Sequence, residues 1–163
     1  MSLYQRDASD IIDYVRNNEA EPWQANNIRE ITTNGFELNM GYKFYLGAFR
    51  PQSINIGYSN INDDLLETDF AFSRYALNSL KNQITATYMF QIRDFISSTL
   101  TFKSSERLNN DSYTVIDFRT SYIHDRFTIS LILNNITDTE YSETNLVPMP
   151  GFNSLVGIKY SIN

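Results

Sequence analysis

The chain has 163 residues, a formal net charge of −6 and a pI near 4.7, a balance that argues against a nucleic-acid partner, which needs a basic surface. It has no cysteine, so neither disulfides nor thiolate-bound metals hold it together. Aromatics make up 14% of it, half of them Tyr, and no run approaches the roughly 18 apolar residues of a spanning helix; a β-barrel escapes that test, because every second residue of its strands faces the lumen.

Taken in order, the chain opens with a short predicted strand, Tyr4 to Val15, followed by a loop from Arg16 to Asn27 that carries Pro22 and Trp23. Ile28 to Phe44 is a long strand: Thr32, Asn34, Phe36, Leu38, Met40, Tyr42 and Phe44 face one way, and Ile31, Thr33, Gly35, Glu37, Asn39, Gly41 and Lys43 the other. After a turn at Tyr45 to Ala48, Phe49 to Ser59 returns with Ile54, Ile56 and Tyr58 on one face. Asn60 to Leu80 is expected to be a long acidic loop with a helical turn starting near Asn62. Lys81 to Gln91 alternates Ile84, Ala86, Tyr88 and Phe90 with Gln and Thr, and a turn at Ile92 to Asp94 leads into Phe95 to Lys103. Ser104 to Ser112 is expected to be a polar loop. Tyr113 to Ile123 then carries Ile116, Phe118, Thr120 and Tyr122 against Val115, Asp117, Arg119 and Ser121. His124 and Asp125 form a tight turn into Arg126 to Asn134, with Phe127, Ile129, Leu131 and Leu133 on one face. A loop rich in Asn, Asp, Thr and Pro precedes the last strand, Phe152 to Ile162.

Long and short connections alternate along this series, which places every long loop on one rim of an up-and-down barrel. The polar faces are built mainly from Ser, Thr, Asn, Gln and Gly, whereas the wet face of a soluble sheet carries more Lys, Glu and Arg. Aromatics crowd the short-turn rim: Tyr42, Phe44 and Tyr45, Phe90 and Phe95, Tyr122 and Phe127, and Tyr160. They fit an interfacial girdle, although strands favour aromatics in any setting. The expected fold is therefore all-β: about eight strands of an antiparallel up-and-down transmembrane β-barrel.

The segment Asn135-Ile136-Thr137-Asp138-Thr139-Glu140-Tyr141, with Pro150-Gly151 after it and Gly157 and Tyr160 on the last strand, resembles the C-terminal end of a TonB-dependent outer-membrane receptor. In that family the penultimate strand ends in a turn reading Asn-Leu-Phe-Asp-x-x-Tyr, and the last strand opens near Pro-Gly-Arg and closes on Tyr-x-Phe. The agreement falls at Asn135, Asp138, Tyr141, Pro150, Gly151, Gly157 and Tyr160, with Ile136 for Leu. Thr137 stands for the usual Phe, Phe152 for the usual Arg, and Ile162 with Asn163 for the usual aromatic end. Gly35-Phe36-Glu37-Leu38 resembles a Gly-x-Glu-x element of the family's barrel strands.

The resemblance makes these strands a β-barrel segment, about eight strands of a larger barrel, and implies that residues 1–163 are the C-terminal part of a receptor barrel of roughly 22 strands, without its plug domain. Met1-Ser2-Leu3-Tyr4 shows no basic region followed by an apolar core, which fits a piece of a longer, exported chain. The implied protein lies in the outer membrane of a Gram-negative bacterium and takes up a scarce nutrient such as a ferric siderophore, cobalamin or glycan. It performs no catalysis and needs no cofactor. Its partners would be outer-membrane lipid, the plug and remaining strands of the parent chain, the energy-coupling protein and the small-molecule nutrient. A small membrane or soluble eight-stranded barrel, acting as a binding or structural module, is the alternative; the soluble form would turn Ile84, Tyr88, Phe127, Ile129 and Leu131 inward.

Few residues suggest chemistry of their own. His124 is the sole histidine and lies in a turn, which leaves no histidine-based metal cluster or triad. Asp63, Asp64, Glu67 and Asp69 could ligate a hard cation such as calcium, but they lack EF-hand spacing and its Gly and read more readily as a solvated charged loop. Glu37, Lys43, Asp117, Arg119 and Lys159 share the predicted lumen face, where they would meet a plug domain or pair across strands. Trp23, Phe70, Phe72 and Tyr75 lie in or beside long loops and are candidate ligand contacts.

Overall fold

The computed structural model describes residues 1–47, 50–66, 72–73, 80–107, 110–143 and 147–162. Nine strands form one antiparallel sheet: β1 (Ser2–Arg16), β2 (Gln24–Leu46), β3 (Arg50–Leu66), β4 (Phe72–Ser73), β5 (Leu80–Arg93), β6 (Ile96–Arg107), β7 (Asn110–His124), β8 (Phe127–Asn134) and β9 (Asn153–Tyr160). Eight are long and follow one another in space as in sequence. The exception is β4, which pairs through Val15↔Ser73 and Arg16↔Phe72 with the far edge of β1, giving the order β4-β1-β2-β3-β5-β6-β7-β8-β9. Among the described residues β1 and β9 do not pair with each other, so the sheet does not close as an eight-stranded barrel.

The register places the expected faces together. Leu38, Tyr58, Ile84 and Ser104 form one cross-strand row, Met40, Ile56, Ala86, Phe102 and Ile116 the next, and Tyr42, Ile54, Tyr88, Leu100, Phe118 and Leu133 the one below. The opposite face runs through Gly41, Asn55, Thr87, Thr101 and Asp117. The apolar face is open, unlike the core-facing side of a water-soluble sheet. Met40 is 64%, Ile56 49%, Ile129 46% and Ile158 72% exposed, while Thr33 and Ser53 of the polar face are each 9% exposed. The polar face is mixed, with Thr33 and Ser53 buried but Asn39, Lys43, Asn55 and Arg119 exposed, and it is the open apolar face that matches a barrel wall in lipid. Ile84, Phe127 and Ile129 stand among the exposed side chains, against the inward placement a soluble barrel requires.

Of the polar side chains that lie in the apolar face, Gln52 and Ser98 are sealed. Gln52, 5% exposed, receives a hydrogen bond from Tyr88 Oη at 2.8 Å and donates to the Gln91 carbonyl at 3.2 Å. Ser98, 4% exposed, donates to Thr120 Oγ1 at 2.9 Å. Lipid offers such groups no partners, so satisfying them within the wall is a condition of placing them there. On the side away from the short turns the apolar band ends in amides: Tyr58 Oη and Asn60 Nδ2 donate to Asn82 Oδ1 at 3.1 and 2.8 Å, and Asn82 Nδ2 donates to Glu106 Oε2 at 2.7 Å.

The larger departures from the expected boundaries lie on the long-loop side, and the last strand also ends two residues early at the short-turn rim. β3 continues to Leu66 in register with Glu30, so the residues after Asn60 form strand instead of a loop with a helical turn near Asn62. β2 begins at Gln24, inside the expected loop, and runs for 23 residues. β6 and β7 pair out to Arg107↔Asn110, which removes most of the Ser104 to Ser112 loop and breaks the strict alternation of long with short connections. The last strand is Asn153–Tyr160. About ten residues cross a bilayer, and beyond the apolar band both faces of a strand are wet. The alternation that marks a strand disappears there while its ladder of hydrogen bonds continues.

Candidate functional site

The long-loop rim and the inner face beneath it gather most of the side-chain contacts. Their centre is the connection from Asn135 to Gly151. β8 pairs with β7 only as far as Leu133↔Phe118, which leaves β7 edge groups above that point without a strand partner. The connection supplies them: Ile136 N–H donates to the Ile116 carbonyl at 2.8 Å and Thr139 Oγ1 to the Thr114 carbonyl at 2.9 Å. Asn135 N–H donates to Asp117 Oδ1 at 2.8 Å, so the inner-face carboxylate anchors the turn.

Asn135 is 2% exposed and works at both ends of its amide. Nδ2 donates to the carbonyls of Thr139 at 2.9 Å and Pro150 at 3.3 Å, while Oδ1 accepts from Thr139 N–H at 2.9 Å. Its φ of 50°, and the same value at Asp138, fall in the left-handed region that Asn and Asp tolerate better than other side-chain-bearing residues. Asp138 Oδ1 accepts from Phe152 N–H at 2.7 Å. A Cβ on Gly151 would lie 2.6 Å from that oxygen, so a residue without one is needed. Tyr141 stacks on Tyr113 with centroids 4.6 Å apart and accepts Met149 N–H at its carbonyl at 2.9 Å. Asn135, Asp138, Tyr141, Pro150 and Gly151 are thus one knot that ties the two ends of a long connection together and onto β7. Tyr160 lies elsewhere, tilted against Phe127 at 4.7 Å on the short-turn rim. Nothing lies within 4 Å of a Cβ at Gly157, and no contact explains a glycine there.

Beside the knot is a cluster that strand periodicity could not reveal. Glu143 reaches the inner face, where it pairs with Lys103 and accepts from Tyr113 Oη at 3.3 Å. The Lys103 ammonium lies 5.7 Å from the Tyr113 ring centroid. The hydrogen bond from Lys103 holds the Glu143 carboxyl below the usual carboxylate range, against the opposing effect of burial. Burial raises the Tyr141 hydroxyl above the usual phenol range, helped by the charge of Glu143. Only the Tyr141 of the family motif pointed here from the sequence; Lys103 and Glu143 are 40 residues apart.

Of the loop aromatics singled out as ligand contacts, the structure brings two together. The Arg16 guanidinium lies 4.4 Å from the Trp23 ring centroid and 5.5 Å from that of Phe72, and Arg16 Nη1 donates to the Glu19 carbonyl at 2.8 Å. β4 makes this possible by carrying Phe72 to the edge of β1. Phe70 and Tyr75 lie outside the described residues.

The remaining sequence candidates separate. Asp63 accepts from Thr33 Oγ1 at 2.6 Å, Asp64 is the next residue of the same strand, and Glu67 and Asp69 lie outside the described residues; no metal-binding group of His, Cys, Asp and Glu occurs among the described residues. His124 is exposed, 3.5 Å from Asp125 Oδ2. Glu37, Lys43, Asp117, Arg119 and Lys159 do share the inner face, but the ion pairs among the described residues are Lys81–Glu106, Lys103–Glu143 and His124–Asp125. Cross-strand pairing of those five is therefore not what the wall does. At Gly35 a Cβ would collide with the Tyr4 ring, which covers the glycine from β1.

Compared with known proteins, residues 1–136 match the family model described as TonB dependent receptor-like, beta-barrel. No curated protein and no solved structure matches the chain. The match stops two residues into the Asn135 motif, so it and the motif rest on nearly separate parts of the sequence.

Proposed function

The chain belongs to the TonB-dependent receptor-like β-barrel family, and from that membership we propose that residues 1–163 form the C-terminal wall of an outer-membrane receptor for the energised uptake of a scarce nutrient. The family is one of receptors and transporters rather than enzymes. The plug domain and a TonB-type energy-coupling partner are what such a barrel works with in general. The single observation that supports the placement is the open apolar face of the wall. The Gln52 and Ser98 side chains within that face are internally satisfied, and the polar face bears the docked connection.

Ligand contact on this part of the barrel falls to the long-loop rim, at Trp23 and Phe72 around Arg16, with Phe70 and Tyr75 in the same connection as Phe72. A cation between two aromatic rings suits a planar or anionic ligand that displaces one ring from the guanidinium. Ferric siderophores, cobalamin and glycans are the nutrient classes proposed. Transport itself requires no bond-making: the ligand shifts a conformational equilibrium that the coupling protein then acts on.

Two measurements test this. Tyr88→Trp in a Trp23→Phe background places one fluorophore on the apolar face; strong quenching by brominated lipid in vesicles supports the wall placement, and protection from that quencher together with solubility in plain buffer overturns it. For the ligand, emission of Trp23, the one tryptophan, is titrated with ferric siderophores, cobalamin and oligosaccharides. A saturable change with one class, abolished by Arg16→Gln, supports the rim assignment; no change with any class overturns it.

A further inference from the structure

The short-turn rim holds a set of cations that neither the wall nor the loops use. Lys43, Arg50, Arg93, Arg126 and Lys159 lie there against Asp94 and Asp125, a positive balance in a chain whose net charge is −6. Each of the three short turns contributes one arginine. Arg50 opens β3 opposite Leu46, Arg93 closes β5 opposite Ile96, and Arg126 follows Asp125 between β7 and β8. Leu46 and Ile96 belong to the apolar face by register, which puts Arg50 and Arg93 on the lipid side of the wall. Arg50 and Arg93 stand at the rim ends of the adjacent strands β3 and β5, and Arg126 lies further along the rim between β7 and β8, so the cations line the rim rather than one pocket.

None of these five cations joins an ion pair among the described residues, and the Asp125 carboxylate lies 3.5 Å from His124 Nδ1. Lys43, Arg93, Arg126 and Lys159 are exposed, and Arg50 Nε is buried with no hydrogen-bond partner. Directly above the row stand paired aromatic rings: Tyr42 with Phe44, Tyr88 with Phe90, Phe95 with Tyr122 and Phe127 with Tyr160. Such rings settle at headgroup depth, which holds the arginines at the level of lipid phosphates. There a guanidinium donates two parallel hydrogen bonds to one phosphate.

We propose that this rim binds the anionic headgroups of the phospholipid leaflet it faces, so that the barrel recruits negatively charged lipid around its short-turn end. The proposal rests on the outer-membrane placement above. It identifies the partner by charge and depth: a phosphate-bearing lipid, fixed in the plane that the aromatic rings define.

The test places the fluorophore beside the row, as Phe95→Trp in a Trp23→Phe background, in phosphatidylcholine vesicles. A small, equal fraction of acyl-brominated phosphatidylcholine or phosphatidylglycerol serves as quencher. The expected result is quenching by the phosphatidylglycerol in excess of the phosphatidylcholine, equivalent to about a fivefold local enrichment for one uncompensated cation near an anionic surface. The excess should shrink in about 1 M salt, where the Debye length is near 3 Å. It should vanish in Arg50→Gln/Arg93→Gln/Arg126→Gln while phosphatidylcholine quenching stays, and persist in the triple Lys variant. Equal quenching by both lipids in the parent chain overturns the proposal and leaves the wall in the membrane, with the cations then serving a soluble anionic partner. An excess that survives both salt and the Gln variant also overturns it. Absence of quenching by either lipid removes the outer-membrane placement and the proposal with it. Should the Gln variant fail to insert, the parent ratio and its salt dependence decide alone.

Discussion

Asn135→Ala is the most informative single perturbation of the terminal knot. The substitution removes two hydrogen bonds at 2.9 Å and one at 3.3 Å from a side chain that is 2% exposed. Each such bond is worth about 1 kcal/mol net, so roughly 3 kcal/mol is lost in the side chain. Alanine must also hold φ near 50°, which costs about 1–2 kcal/mol for a residue with an ordinary Cβ. The expected total is about 4–5 kcal/mol, a large share of the marginal stability of a domain. Two companion variants separate the contributions. Asn135→Gly relieves the backbone cost and keeps the roughly 3 kcal/mol loss. Asn135→Asp keeps the acceptor for Thr139 N–H and loses both donations, about 2 kcal/mol. The assay is urea unfolding of the chain refolded in lipid vesicles, followed by circular dichroism, with limited proteolysis of the Asn135 to Gly151 connection in parallel. A loss below about 1 kcal/mol for Asn135→Ala, or equal losses for Ala and Gly, would refute the reasoning.

Three further outcomes follow from the same contacts. Gly151→Ala sets a Cβ 2.6 Å from Asp138 Oδ1 and displaces the carboxylate from Phe152 N–H, costing about 2 kcal/mol and exposing the connection to protease; unchanged unfolding would show that the carboxylate relocates freely. Gly35→Ala drives its methyl into the Tyr4 ring and should destabilise by about 1–3 kcal/mol, a penalty that Tyr4→Ala removes in the double variant; additive losses would mean that the two residues do not meet. The Glu143 carboxyl titrates lower in the folded chain than unfolded, chiefly through Lys103. Its contribution is therefore complete above the unfolded value near ~4.3 and is lost as pH falls through the lower folded value. Acidification across that window should free the connection to protease, with Glu143→Gln removing that pH dependence, and an unchanged acid response in Glu143→Gln would assign it to another carboxylate.

How far the sequence discloses this wall depends on where each residue sits relative to lipid. Between the aromatic rim and the row of Asn60 and Asn82, one side of each strand must be apolar and the other need not be. Period-two alternation therefore marks Arg126 to Asn134 to within a residue and the Ile123 end of β7 likewise, while β7 starts three residues before Tyr113. Past that row water touches both sides, and Ile61 through Leu66 can read Ile-Asn-Asp-Asp-Leu-Leu while remaining fully paired with β2. Composition alone turns such residues into a loop, because Asn and Asp are depleted from strands that must bury a face. The two-residue β4 has no period to detect. Its pairing with β1 is decided across the whole of β2 and β3, so the meeting of Phe72 with Trp23 over Arg16 was open to guesswork on aromatic content but not to derivation.

The terminal motif inverts that relation between pattern and structure. Asn135 and Asp138 carry no periodicity, yet their spacing is legible because the geometry is local. The Asp138 N–H donates to the Asn135 carbonyl at 2.9 Å, and both residues sit at φ 50°. Pro150 and Gly151 are tied to them because a carbonyl must meet Asn135 Nδ2 and a missing Cβ must admit Asp138 Oδ1. The Lys103–Glu143 pair has no such local constraint: Lys103 is one cation on a strand and Glu143 one anion on a connection, and either alone reads as a solvated charge. What joins them is the knot itself, which folds the connection back over β7 and brings Glu143 down to the inner face. The buried amide therefore sets the position of the ion pair, and Asn135→Ala should release Lys103 from Glu143, whereas Glu143→Gln should leave the Asn135 bonds in place. Amide exchange at Thr139, whose N–H is held by Asn135 Oδ1, decides the order: protection lost in the first variant and kept in the second is the expected pattern, and equal loss in both would make the ion pair a cause of the knot rather than its consequence.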